Sequence, residues 1–188
     1  MANMLLGTVA ALLLIYSVGA ILETNHLIEI DNDGRRVAMD VSYDTEKNTV
    51  LVIVGDVSKY KDGVQTVNLH DFNTKYGVLK DINKKTCLLG KAFTPRAMPE
   101  KYRMGVTNEV HPHMLDISPD VMTKEEVYDL GGPHIAAFCN DYDTYFVKGT
   151  PLTGNKMKVA GFSSRGLTVD VVCGFELFCR SDRYDQLS

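Results

Sequence analysis

Several features that would point to an enzyme or a nucleic-acid binder are missing from this sequence. The motifs G-x-S-x-G and H-E-x-x-H and a phosphate-binding glycine loop do not occur, so we expect no enzymatic activity. The net charge is −4, and the 20 basic residues are scattered along the chain. This distribution argues against the basic patch of a nucleic-acid-binding protein. The sequence also has no N-x-S/T acceptor for N-glycosylation.

A metal-binding pattern is also missing. No C-x-x-C pair occurs, and His111 and His113 are separated by a proline, so we expect neither a metal site nor a cofactor. In an oxidising compartment, an even number of thiols is most simply explained by disulfides, and four thiols allow three connectivities. The four cysteines are Cys87, Cys139, Cys173 and Cys179.

No residue from Met4 to Leu22 is charged. The apolar centre of this stretch is followed by small residues, and Val18 and Ala20 occupy the −3 and −1 positions for cleavage before Ile21. We therefore expect residues 1–20 to be a signal peptide and the protein to be secreted through the endoplasmic reticulum. The alternative is an uncleaved type II membrane anchor, because the stretch approaches the roughly 20 apolar residues that span a bilayer.

The body of the chain has the pattern of short strands separated by turns. Residues 50–54 are all apolar, which predicts a central strand that is covered on both faces. The other predicted strands are residues 27–30, 37–43, 76–82 and 86–90.

Two helices are predicted in the second half of the chain. A short one is expected over residues 99–106, because Pro99 suits the first position of a helix. A second one begins at Thr123, which forms a capping box with Glu126. The sequence Gly131-Gly132-Pro133 should kink this helix, so that the segment from Pro133 to Cys139 begins a new helical turn.

The C-terminal segment from residue 167 to residue 179 alternates between apolar and more polar residues, which predicts a strand with one buried face. It is either an edge strand or hairpin of the same fold or a β-prone segment that must be kept from pairing with copies of itself. In the second interpretation Asp170 and Glu176 are gatekeeper charges. The apolar client residues would be Leu167, Val169, Val171, Phe175 and Leu177.

Two blocks of sequence resemble the BRICHOS domain of secreted and membrane-anchored precursors, with spacing similar to the gastrokine branch. The first block is Asp71-Phe72-Asn73-Thr74-Lys75-Tyr76-Gly77, Leu79 and Lys84-Lys85-Thr86-Cys87. The second block is Gly132, His134-Ile135-Ala136-Ala137-Phe138-Cys139 and Thr144-Tyr145. The resemblance covers residues 37–147.

The resemblance implies an α+β fold, an antiparallel sheet of about five strands with a helix on each face. It implies a Cys87–Cys139 disulfide, which leaves Cys173 and Cys179 as the second pair. The implied organisation is a signal peptide at 1–20, a linker or strand at 21–36, the domain at 37–149 and a β-prone region at 150–188. The first helix looks shorter than that of the family and is broken by Pro112, which departs from the family pattern.

Asp71 would be the characteristic carboxylate of that family. The simplest role for it is to accept hydrogen bonds from backbone N–H groups of a turn. The alternative is a partly buried acid whose ionisation regulates assembly. We expect no histidine beside it, because the adjacent His70 would point to the opposite side of an extended strand.

The function implied by the resemblance is that of an intramolecular chaperone. The domain would bind the β-prone tail of its own precursor, or other β-prone peptides, by strand addition, and so prevent amyloid-like assembly. Alternatives are a secreted epithelial or mucosal binding or signalling factor and the precursor of a bioactive C-terminal peptide. Residues 166–188 are acidic, unlike a membrane-disrupting peptide. A further possible partner is a second copy of the chain, in a homo-oligomer. A membrane is a partner only if the N-terminal segment stays uncleaved.

Overall fold

The computed structural model describes residues 22–30, 36–60, 63–91, 113–151, 167–169 and 178–179. In chain order, its elements are β1 (Leu22–Ile30), β2 (Arg36–Asp44), β3 (Thr49–Val54), β4 (Gly63–Val64), β5 (Thr66–Asp71), β6 (Tyr76–Asp81), β7 (Thr86–Gly90), β8 (His113–Val121), α1 (Lys124–Phe138), β9 (Asp143–Pro151), β10 (Leu167–Val169) and β11 (Phe178–Cys179).

The main sheet has nine strands in the order β1-β2-β3-β5-β6-β7-β9-β8-β10, and β11 pairs with β4 in a second, two-stranded sheet. Among the described strands, β7 and β9 are the only parallel pair. Within the described residues α1 is the only helix, and it contacts β5 and β6. The expected five-stranded antiparallel sheet with a helix on each face is therefore wrong. The sheet continues outward on both sides, through β1 and β2 beyond β3 and through β8 and β10 beyond β9.

Three hairpins close with four-residue loops, and each loop follows an aspartate that ends a strand. In each case one carboxylate oxygen accepts the N–H groups of the second and third residues after the aspartate. These bonds pair N–H groups of the turn that the hydrogen bonds between the two strands do not reach, so the aspartate stabilises the turn. The aspartates are Asp44, Asp71 and Asp81, and the loops end at Asn48, Lys75 and Lys85, whose φ angles are 53°, 63° and 54°.

Two of these loops lie side by side at one end of the sheet and are bonded to each other. The Asn73 side-chain amide donates to the Lys47 carbonyl oxygen at 2.8 Å and accepts from the Asn48 side chain at 3.1 Å. The Phe72 backbone N–H also donates to the Asn48 carbonyl oxygen at 3.1 Å. The end of β5 at which Asp71 lies is therefore held by the neighbouring β2–β3 hairpin.

Strand β3 is third in the sheet order, so the prediction that it is the central strand is wrong. Val50, Val52 and Val54 are completely buried on one face. On the other face, Leu51 packs against the hydrophobic core beneath α1, whereas Ile53 is 44% exposed. Strand β3 is therefore covered on both faces at Leu51 but not at Ile53, because α1 lies farther along the sheet, over β5 and β6.

Helix α1 confirms the predicted capping box and kink. The hydroxyl oxygen of Thr123 accepts the Glu126 N–H at 3.2 Å, and a Glu126 carboxylate oxygen accepts the Thr123 N–H at 2.7 Å. Gly132 leaves the helical region with φ 76° and ψ 180°. A Cβ atom there would lie 2.8 Å from Cγ2 of Thr74, so both its backbone conformation and its contact with the β5–β6 loop favour glycine.

Strand β8 was not predicted from the sequence. It follows Pro112 and contains Pro119, and proline cannot donate a hydrogen bond to a sheet. The pairing of β8 with β9 shifts register between Ile117 and Val121. This irregularity spans Pro119 and explains how a strand can contain it.

Some predictions fall outside the described residues. These are the signal peptide and its cleavage before Ile21, the helix over residues 99–106, and Cys173 with its pairing. In the part of the chain that is described, no helix has the length and apolar character needed to cross a membrane.

Candidate functional site: a buried Asp71–His134 pair and an occupied sheet edge

Asp71 is the last residue of β5, and its side chain is only 2% exposed. One carboxylate oxygen, Oδ1, accepts the backbone N–H groups of Asn73 at 2.9 Å and Thr74 at 3.2 Å. This is the role that the turn interpretation predicts. The second oxygen, Oδ2, lies 3.0 Å from Nδ1 of His134, so both oxygens of the buried carboxylate have partners.

His134 is the residue at this site that sequence reasoning missed, and the expectation that no histidine lies beside Asp71 is wrong. The two residues are 63 positions apart, and no spacing rule relates them. The kink at Gly132 and Pro133 brings the second half of α1 against the β5–β6 loop, where Gly132 lies close to Thr74. The only sequence signal is indirect, because Asp71 and His134 belong to the two separate blocks of the family resemblance.

The contact with Asp71 determines which nitrogen of a neutral His134 ring carries the proton. A carboxylate that accepts a hydrogen bond from Nδ1 holds the proton on that nitrogen and leaves Nε2 as the acceptor when the ring is neutral. The His134 side chain is 32% exposed, whereas Asp71 is enclosed. Among the described residues no group of three histidine, cysteine or acidic side chains could hold a metal ion. We therefore interpret the pair as a link between the β5–β6 loop and α1.

A disulfide holds the same half of α1 to the sheet. Cys87 on β7 is bonded to Cys139 at the C-cap of α1, with a Cα–Cα distance of 6.2 Å. Both residues are buried. This is the pair that the resemblance implies. Cys179 lies in β11, but its proposed partner Cys173 is outside the described residues, so that second pair stays a prediction.

Lys80 provides a third attachment for the helix. Its ammonium group donates to the Phe138 carbonyl oxygen at 2.7 Å, in the last turn of α1, where a positive charge is favourable. The same nitrogen lies 4.5 Å from the centre of the Phe138 ring and 4.0 Å from that of Tyr142. Burial lowers the pKa of Lys80, and the charge of Asp141 partly opposes this effect. The second half of α1 is therefore attached at β5, β6 and β7.

The C-terminal segment occupies one edge of the main sheet. Leu167, Thr168 and Val169 pair antiparallel with Ile117, Asp116 and Leu115 of β8. Farther along, Phe178 and Cys179 pair with Val64 and Gly63 of β4. The structure thus describes the two ends of the predicted tail strand. Val171, Phe175 and Leu177, which belong to the predicted client residues, lie outside the described part of the chain.

No protein-family model, curated protein or solved structure matches the chain. The resemblance to the BRICHOS domain stays a prediction.

Proposed function

We propose that this chain is a secreted BRICHOS-like protein that holds its own C-terminal β-prone segment on the edge of its sheet, and so acts as an intramolecular chaperone. The observation that supports this proposal is the antiparallel pairing of β10 with β8. An extended apolar segment that is free can pair with copies of itself. When the segment is added to an existing edge, its backbone groups are satisfied within the same molecule.

The strand that receives the tail is firmly placed. β8 pairs with β9 from His113 to Val121, and β9 pairs with β7, which carries Cys87 of the disulfide. Leu115 and Ile117 of β8, which lie opposite Val169 and Leu167, are buried. A rigid edge of this kind costs little further ordering when a strand is added, which favours binding of the tail.

The proposal can be tested with a chain that ends at Pro151 and a synthetic peptide of residues 167–179. In the peptide, Cys173→Ser and Cys179→Ser prevent disulfide cross-linking. The peptide alone should form fibrils that a fibril-sensitive dye detects. The shortened chain should suppress them when it is present at well below one molecule per peptide, whereas serum albumin at the same concentration should not.

Two results would contradict the chaperone proposal. One is a peptide that stays soluble alone at every concentration tested. The other is a shortened chain that is folded, as judged by its Cys87–Cys139 bond and a cooperative thermal transition, and yet leaves fibril formation unchanged.

The second candidate is a secreted binding or signalling factor in which the tail is simply part of the finished fold. The pairing of β11 with β4 favours it, because this contact is in a different sheet from that of β10. A tail that is held at both ends contributes to the stability of the whole domain. In this case, the chain that ends at Pro151 should lose much of its stability and should not act on the peptide.

A further inference from the structure

Strand β1 forms the edge of the main sheet opposite to β10. It is nine residues long and pairs with β2 from Leu22 to Ile30 without a register shift. No strand among the described residues pairs with its outer side. Natural edge strands are usually protected by short length, proline, charged side chains (above all lysine) or a bulge. Residues 22–30 contain no proline, lysine or arginine, and the only charged residues among them are Glu23 and Glu29.

The register of the hairpin shows which backbone groups of β1 face outward. The Ala38 carbonyl oxygen accepts the Gly55 N–H at 2.9 Å, so the backbone groups of Ala38 face β3. In an antiparallel sheet these groups alternate between the two neighbours, and those of Val37 and Met39 therefore face β1. Because Ala38 lies opposite Ile28, the backbone groups of Ile28 face away from β2.

The same alternation makes the backbone groups of every even-numbered residue of β1 face outward. The side chains of these residues also lie on one face of the sheet. Two of them are strongly exposed apolar residues, since Leu22 is 64% and Ile28 is 58% exposed. These outward-facing donors and acceptors have no strand partner within the described part of the chain, and they lie next to apolar surface.

We propose that β1 pairs antiparallel with β1 of a second copy of this chain, with the two-fold axis at Asn25. In this register Leu22 lies opposite Ile28 of the second copy, and Thr24 lies opposite His26. All of these residues have outward-facing backbone groups, so each pair exchanges two hydrogen bonds. The apolar residues meet each other, and no acidic residue lies opposite another. The strand is therefore complementary to itself, which identifies a second copy as its partner.

A register centred on His26 would overlap more residues, but it would place Glu23 opposite Glu29 at two positions. Like charges that face each other across strands are destabilising. The Asn25 register instead extends a polar row that is present in one copy. His26 is bonded to Asp40, and the Thr24 hydroxyl lies 3.1 Å from that of Ser42. In the dimer, the His26–Asp40 contact of one copy and the Thr24–Ser42 contact of the other would form one row of polar side chains across the interface.

The first test measures the mass of the full secreted chain by sedimentation over a range of concentrations. We expect a dimer. Ile28→Lys places a charge at the interface and should raise the dissociation constant by about tenfold or more. Thr24→Pro removes an N–H that faces away from β2, so the hairpin should survive while the dimer is lost. Ile53→Lys is the matched control, because Ile53 is also an exposed apolar residue but lies on β3, away from the edge.

The second test checks the register by oxidising purified single-cysteine additions. Asn25→Cys lies on the two-fold axis and should give a cross-linked dimer, whereas His26→Cys should not. The proposal is overturned if the wild-type chain is monomeric throughout, if Ile28→Lys leaves the dimer intact, or if Ile53→Lys dissociates it equally. Cross-linking through His26→Cys instead of Asn25→Cys would overturn the register. Ile28→Lys tests the proposed dimer even if Thr24→Pro does not fold. None of these outcomes depends on the proposed chaperone function, because β8 is not involved.

Discussion

The Oδ2 atom of Asp71 and the Nδ1 atom of His134 lie 3.0 Å apart, although 63 residues separate them in the chain. Asp71 belongs to the β5–β6 hairpin, and His134 belongs to the second half of α1, just after its kink. The contact joins a local turn motif to a distant helix.

Asp71→Ala should therefore destabilise the protein more than the loss of a turn acceptor does. Asp44→Ala is the matched control, because Asp44 has the same position in the β2–β3 hairpin but is more exposed and is paired with Lys47. We expect a loss of about 2–4 kcal/mol for Asp71→Ala, which leaves His134 without its buried acceptor, and about 1 kcal/mol for Asp44→Ala. Urea unfolding measures both.

A double-mutant cycle isolates the pair. His134→Ala should cost little in the Asp71→Ala background, because the contact has already been lost. Equal losses for Asp71→Ala and Asp44→Ala, or fully additive effects of Asp71→Ala and His134→Ala, would show that the pair contributes nothing to stability.

Gly132→Ala should destabilise α1 for two separable reasons. Its φ of 76° is unfavourable for alanine, and the new Cβ atom would lie 2.8 Å from Cγ2 of Thr74. Thr74→Ser removes that methyl group and keeps the hydroxyl that bonds within the loop. We expect Gly132→Ala to cost about 1–3 kcal/mol and Thr74→Ser to recover only part of it. Thermal unfolding measures both variants, and no loss in Gly132→Ala would contradict the described kink.

The parts of this fold that could be predicted are those with local signals. The capping box of Thr123 and Glu126 and the Gly-Gly-Pro kink identified α1 and its break, because each acts within a few residues. Strand β8 was missed since Pro119 argues against a strand, and only its pairing with β9 explains it. The Asp71–His134 contact and the order of the strands depend on long-range packing, for which one sequence contains no periodic signal.

The capping box of α1 should contribute to the pH dependence of stability. Hydrogen bonds from the Thr123 backbone N–H and then its hydroxyl lower the pKa of Glu126 below its ordinary value of 4.5. Since the folded pKa is the lower one, this stabilisation is present above pH 4.5 and is lost as the pH falls through the folded pKa. The melting temperature of Glu126→Gln should therefore fall less steeply below pH 4.5 than that of the wild type.

Glu125→Gln is the matched control for this pH prediction, because Glu125 lies in the same first turn of α1 and does not form the capping box. If Glu125→Gln and Glu126→Gln change the pH profile equally, the effect comes from the charge of the helix N-terminus and not from the cap.

Amide hydrogen exchange in the full chain examines directly whether the tail is held on the β8 edge. Those amides of residues 167–169 whose N–H groups face β8 should exchange more slowly than the same amides in the unfolded chain, by about tenfold or more, because β10 pairs with β8. Amides of the internal strand β6 provide the reference for full protection. If all amides of residues 167–169 exchange at the rate of the unfolded chain while β6 stays protected, the tail is not held on the sheet and the chaperone proposal loses its structural support.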